Sequence, residues 1–123
     1  MKIVVVDQDV ELLNAAKHRL SGEGYEVFTT ELESRGLAMI QEIKPDLIVS
    51  DVMMPELSGI SLNGMFRRFY RKMPVIITAP HAMKQKIITS GNLEEEDVML
   101  KPLNLNELCL RIANVRGSGL SNR

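Results

Sequence analysis

An α/β fold built on one open parallel sheet is the architecture this sequence predicts, and three observations carry it. Short β-branched runs alternate with amphipathic stretches, as repeated βα units require. The runs KIVVV, DLIVS and PVIIT are apolar almost throughout, as strands covered on both faces should be. Four runs stop at a polar residue, namely Asp7, Asp51, Thr78 and Lys101. In an open parallel sheet the carboxyl ends of the strands face one crevice, and ligands bind there.

Taken in chain order, strands are expected near residues 2–7, 25–30, 46–51, 75–79 and 97–100. Between the first two, Val10, Leu13, Ala16 and Leu20 form an apolar helical stripe that Gly22 and Gly24 end. Leu62, Met65, Phe66 and Phe69 fall at i, i+3, i+4 and i+7 and mark a helix before the fourth strand. Leu105, Leu108, Cys109 and Ile112 repeat that spacing on the last helix, which makes Cys109 a buried thiol with no redox role. There is no internal repeat, and the final GSGLSNR reads as a flexible tail or linker. The expected organisation is one domain over residues 1–116, with 117–123 as the tail.

Composition narrows the class. A chain of 123 residues can bury one core, and 45% hydrophobic with 25% charged residues is ordinary for a soluble globular protein. Aromatic residues are only 4%, so Ile, Val, Leu and Met must build the core. A net charge of -1 gives no drive toward nucleic acid or an anionic membrane. No apolar run approaches the roughly 20 residues needed to span a bilayer, and the first strand begins too early to leave room for a signal peptide. The single cysteine excludes an internal disulfide and fits a reducing cytoplasm.

The four strand-end residues form a set suited to phosphoryl chemistry. Asp51 opens DVMMPELSG, where a Pro-containing loop ending at Gly59 exposes the carboxylate at a fixed angle. Such a carboxylate can attack phosphorus, since an acyl phosphate divides the transfer into two easier steps. The phosphoryl oxygens then need a cation, and Mg²⁺ prefers one or two carboxylates, several waters and the phosphate itself. Asp7 and Asp51 could supply carboxylates, and Met53 a backbone carbonyl. Lys101 would pair with one phosphoryl oxygen, and Thr78 would donate a hydrogen bond to another. Singly, each residue has a plainer explanation: a strand-end Asp caps turns and helices, a Thr favours strands, and a Lys before Pro102 is a solvated loop residue. The four together, with DVMMPELSG among them, are poorly explained by coincidence.

These motifs resemble the receiver domain of response regulators, the phospho-accepting module of two-component signalling. The likeness runs from Lys2 to about Val115 and is strongest in VVVD, DVMMPELSG, PVIITA and the Lys101–Pro102 pair. It implies a flavodoxin-like doubly wound sheet of five parallel strands in the order 2-1-3-4-5, with helices on both faces. It also implies that Asp51 accepts a phosphoryl group from a histidine kinase or a small phosphodonor, with Mg²⁺ required. Such a domain is a regulatory phospho-acceptor rather than an enzyme.

The sequence departs from the family in three places. Two adjacent acids usually follow the first strand, and here the second position, a direct Mg²⁺ ligand, is Gln8. An amide oxygen remains, but the lost charge should weaken the metal site. Asp9 could compensate, although it suits better the N-cap of the first helix. The aromatic switch residue expected three positions before the lysine is Val98, so the movement that accompanies capture of the phosphoryl group by Thr78 must be carried otherwise or is blunted. LEEED (Leu93 to Asp97) replaces the usual Gly-Ala pair before the fifth strand.

KPLNLNELCLRI further resembles the last helix of receivers that precede a winged-helix DNA-binding domain. There, residues matching Asp97, Glu107 and Arg111 join paired receivers across the last strand and helix, so a homodimer and an output domain beyond the tail are implied. Glu107 and Arg111 also suit an ordinary i, i+4 pair. Arg67, Arg68, Arg71 and Lys72 read as the wet face of their helix, and His18 and His81 as surface residues.

Two alternatives stand beside this one. A pseudo-receiver would keep the fold as a phosphorylation-independent interaction module, which Gln8 and Val98 both favour. A phosphatase of the haloacid-dehalogenase type would use Asp7 as nucleophile and Asp9 as general acid, but it leaves DVMMPELSG unexplained and lacks the acidic pair expected after the lysine.

Overall fold

Five strands form where the apolar runs lie. They are β1 (Lys2–Val6), β2 (Glu26–Thr30), β3 (Leu47–Asp51), β4 (Val75–Ala79) and β5 (Val98–Leu100), each within one residue of its expected ends. The computed structural model describes residues 1–51, 74–85, 89 and 98–115. Every strand pairing is parallel, and the order is β2-β1-β3-β4-β5. Among the described residues the helices are α1 (Val10–Gly22), α2 (Glu33–Ile43) and α3 (Leu105–Asn114), with a short 3₁₀ turn at His81–Met83. No helix among the described residues is long and apolar enough to cross a membrane.

Alternation along β1 divides the core. Ile3 and Val5 pack with Leu13 and Leu20 of α1 and with Leu108 and Ile112 of α3. Val4 and Val6 point to the opposite face, beside Phe28 and Met39. On that face Ile40 of α2 packs with Ile48, Val75 and Ile77. Helices therefore cover both faces, and fully burying each Leu or Ile contributes about 1.5–3 kcal/mol relative to exposure.

Local signals set the helix ends. The Asp9 side chain accepts from the Leu12 N–H and caps α1, while Asn104 does the same for α3 through Glu107. Gly24, at φ 94, turns the chain from α1 toward β2 in the left-handed region that glycine adopts without strain. Helix α2 has no side-chain N-cap, and its buried residues are Glu33, Gly36 and Ile40. Gly36 matters most there: a Cβ at that position would lie 2.9 Å from Val6 Cγ2, so α2 approaches β1 as closely as it does only because the side chain is absent.

Two expectations need correction. Val10 belongs to the α1 stripe by spacing but is exposed: it is the first residue of the helix, and burial begins one turn later, at Leu13. Cys109 is half-buried rather than buried, lying on the flank of α3 beside the core-facing Leu108 and Ile112. The helix expected at 62–69 with its Arg67, Arg68, Arg71 and Lys72 cluster, the LEEED segment and the tail at 117–123 lie outside the described residues.

Candidate functional site

Register brings the strand-end residues together. Val6 lies level with Ser50, so Asp7 and Asp51 follow on neighbouring strands, and Asp51 lies level with Thr78. One strand further, Ala79 is level with Leu100, and the Lys101 N–H donates to the Ala79 carbonyl at 2.8 Å. That bond carries the ladder one residue past β5 and fixes where the lysine leaves the sheet. The Lys101–Pro102 peptide is cis.

The ammonium of Lys101 sits between the two carboxylates. Its Nζ lies 3.0 Å from Asp7 Oδ2 and 3.0 Å from Asp51 Oδ2. Asp7 and Asp51 are only 2% and 3% exposed. Burial pushes the Asp7 carboxyl above the usual carboxylate range; the Asp9 N–H and Lys101 oppose that shift, and the Asp51 charge adds to it. For Lys101, burial alone would favour the neutral amine, but its hydrogen bonds to Asp51 and Asp7 outweigh burial and raise its pKa. The lysine is therefore held charged at neutral pH.

Thr78 completes the floor. It is 1% exposed, and its Oγ1 has no hydrogen-bond partner among the described residues. A buried hydroxyl left without a partner carries a free-energy cost, so its presence at the mouth of a carboxylate site points to an acceptor brought in from outside. Two carboxylates and one ammonium also leave a net negative charge. Among the described residues no group of three or more Asp, Glu, His or Cys could hold a metal, and a two-carboxylate set fits Mg²⁺, which completes its shell with water and phosphate oxygens.

The remaining expected residues fall as follows. Gln8 is exposed beside the buried Asp7. Val98 is buried in β5. Arg111 and Glu107 pair at 3.3 Å within α3, and Arg111 Nη1 also donates to the Val98 carbonyl at 3.1 Å. His18 and His81 are exposed. Met53 and Asp97 lie outside the described residues. Spacing alone did not single out the Asp9 backbone, whose N–H donates to Asp7 Oδ1 at 2.9 Å and orients that carboxylate. The available signal was the Asp-x-x that opens a helix, where an Asp side chain commonly accepts from the N–H two residues on. The Asp9 side chain itself accepts from the Leu12 N–H at 3.1 Å and caps α1, the role expected for it at the start of that helix.

A doubly wound sheet of this order, with an acidic crevice at its carboxyl edge, belongs to the flavodoxin-like class of α/β folds. Within that class the chain belongs to the response regulator receiver domain family, which it matches over residues 3–113, and is thus a receiver domain of two-component response regulators. It is 31% identical over 106 residues to the transcriptional regulatory protein GlrR of Escherichia coli (strain K12), covering 86% of this chain and 24% of the relative. It is 30% identical over 111 residues to the alkaline phosphatase synthesis transcriptional regulatory protein PhoP of Bacillus subtilis (strain 168), covering 90% of this chain and 46% of the relative. The chain thus spans less than half of either relative. Among solved structures, a response regulator receiver domain protein from Clostridium thermocellum superposes with a TM-score of 0.80 at 28% identity, covering 92% and 91% of the two chains. A CheY-like receiver domain protein from Methanospirillum hungatei JF-1 gives 0.87 at 25% identity, covering 99% and 98%.

Proposed function

We propose that this domain is a phospho-acceptor whose Asp51 takes a phosphoryl group from a histidine kinase or a small phosphodonor in a Mg²⁺-dependent step. The observation that carries the proposal is the convergence at the carboxyl edge of one sheet of Asp7, Asp51, Lys101 and the Thr78 hydroxyl, which has no partner among the described residues. An Asp51 carboxylate oxygen forms the bond to phosphorus as the bond to the donor nitrogen breaks, and that nitrogen keeps the electron pair and takes a proton. Asp7 and Asp51 would hold Mg²⁺, with the Met53 backbone carbonyl as a neutral ligand and Gln8 as a weak, atypical neighbour. When bound, Mg²⁺ supplies positive charge against the phosphoryl oxygens. Lys101 pairs with one phosphoryl oxygen, and the Thr78 hydroxyl donates to another, gaining an acceptor it does not find among the described residues.

The output follows from the same reading. Val98, next to the level of Thr78 on the neighbouring strand, would transmit the capture without an aromatic ring. The face near β5 and α3, with Asp97, Glu107 and Arg111, would pair two copies. Residues 1–116 form the receiver, with 117–123 as a tail or a link to an output domain, acting in the cytoplasm. The two curated relatives are transcriptional regulators, which supports a role in transcription control.

The test is to incubate the protein with phosphoramidate, once with Mg²⁺ and once with a chelator, and to weigh it intact. A phosphoryl adduct formed only with Mg²⁺ is expected. No adduct from phosphoramidate or from a kinase donor, with the fold intact, would favour the pseudo-receiver, the alternative that the exposed Gln8 and the buried Val98 suggest.

A further inference from the structure

We propose that this domain pairs with a second copy of itself through β2, the two strands joining antiparallel about a two-fold axis at Phe28 to make one continuous sheet. This interface lies at the opposite end of the sheet from β5 and needs no phosphoryl group.

The two edges of the sheet differ. At one edge β5 is three residues long, and Arg111 Nη1 donates to the Val98 carbonyl at 3.1 Å, so a basic side chain occupies an acceptor there. Short strands and charges of this kind keep an edge from templating another strand. At the other edge β2 reads EVFTT, with no Lys, Arg or Pro and with Glu26, its first residue, as its one charge. It runs level with β1 from Lys2↔Glu26 to Val6↔Thr30, so no bulge turns it aside. Alternation decides which of its backbone groups face out. The Glu26 N–H donates to the Met1 carbonyl at 3.0 Å, and the Thr30 carbonyl accepts from the Asp7 N–H at 3.2 Å. Glu26, Phe28 and Thr30 therefore bond toward β1, while Val27 and Thr29 direct N–H and C=O to the outer edge. Among the described residues no hydrogen bond takes up those outward groups.

The strand complements itself. Two copies centred on Phe28 set Val27 opposite Thr29 and Thr29 opposite Val27. Those are the positions whose backbone groups face out, and each such pair exchanges both of its bonds, about four in all. Phe28 meets Phe28 of the second copy in the close, non-hydrogen-bonded pair, ~4.5 Å apart at Cα. That ring is half-buried in the single copy, and an aromatic pair across the strands favours the contact. Glu26 falls opposite Thr30, so no like charges oppose one another. Beyond the strand the same register brings Leu32, 51% exposed, beside Gly24 and the half-buried Tyr25 of the second copy. An unrelated extended peptide would match the backbone alone. The symmetric side-chain pairs select a second copy, and the two-fold axis closes the assembly at two.

The experiment is sedimentation equilibrium of the full chain, wild type against Thr29→Pro, up to about millimolar concentration because a single strand pair is a small interface. Proline at position 29 removes an outward N–H and leaves the bonds to β1 in place, the setting in which an edge strand tolerates it. The wild type should show a monomer–dimer equilibrium, weakened about tenfold or more in Thr29→Pro through loss of one bond from each of the two pairs. The Val27 and Thr29 amides of the wild type should exchange with solvent more slowly at high concentration than at low. If Thr29→Pro does not fold, Thr29→Lys takes its place, since a charge on the edge opposes pairing. A wild type that stays monomeric throughout overturns the proposal. So does a dimer of unchanged strength in the folded variant, which would move the pairing to another face, or amide exchange at Val27 and Thr29 that ignores concentration.

Discussion

Replacing Thr78 by Val should stabilise the unphosphorylated protein, because the hydroxyl is costly before a phosphoryl group arrives. Thr78 is 1% exposed and its Oγ1 finds no partner among the described residues. A buried hydroxyl in that state costs about 1–3 kcal/mol relative to water, and Val fills nearly the same shape on a β-branched frame that suits a central strand. The charged groups nearby make the environment less apolar than a core, so the lower end of the range applies and the expected gain is about 1 kcal/mol. With a urea slope of about 2 kcal/mol/M the unfolding midpoint should rise by about 0.5 M, and Tm by about 4 °C. The phosphorylated protein should behave in the opposite sense: the stabilisation that phosphorylation confers on the wild type should shrink in Thr78→Val, since a donor to the phosphoryl group is gone. Urea melts of both proteins, with and without phosphoramidate and Mg²⁺, read all four states. A lower midpoint for Thr78→Val without phosphate would show that the hydroxyl is already satisfied, and an equal response to phosphorylation would show that it does not bind the phosphoryl group.

Gln8→Asp should tighten Mg²⁺ binding about tenfold, or ~1.4 kcal/mol, by restoring a third carboxylate; unchanged affinity by calorimetry would mean that position 8 does not face the metal. Asp9→Ala should cost about 1 kcal/mol through loss of the α1 cap yet leave Mg²⁺ affinity alone, since only the Asp9 backbone touches Asp7. A fall in affinity well beyond that of a cap variant at Asn104 would instead make Asp9 a ligand. Gly36→Ala gains about 1 kcal/mol of helix propensity but sets a methyl 2.9 Å from Val6 Cγ2, an overpacking that costs about 1–3 kcal/mol. A net loss of about 1 kcal/mol is expected in guanidinium melts, together with slower phosphorylation because Val6 carries Asp7. A gain in stability would show that α2 can withdraw from β1.

The sheet was legible because its signal is local and redundant. Each of KIVVV, DLIVS and PVIIT is buried along nearly its whole length, so an apolar run without alternation could mean little else between turn residues. The convergence of Asp7, Asp51, Thr78 and Lys101 was legible for a geometric reason, since parallel strands end at one edge wherever the chain goes between them. Helix α2 was not legible as an amphipathic element, because its buried stripe is Glu33, Gly36 and Ile40, in which only one of three residues announces burial. The bridge from Lys101 to both carboxylates was also out of reach. Sequence places the lysine at the edge, but which oxygen it meets depends on the Ala79–Lys101 backbone bond and on the rotamers of three side chains. Arg111 illustrates the same limit: spacing predicted its pairing with Glu107, while its bond to the Val98 carbonyl is a tertiary contact.

The most direct test of the central claim compares the wild type with Asp51→Asn after incubation with phosphoramidate and Mg²⁺, by intact mass followed by peptide mapping of the adduct. The account predicts one phosphoryl group on the wild type, mapped to the peptide that carries Asp51, and none on Asp51→Asn, which should remain folded. An adduct of equal yield on Asp51→Asn, or a wild-type adduct mapped to any other residue, would contradict it.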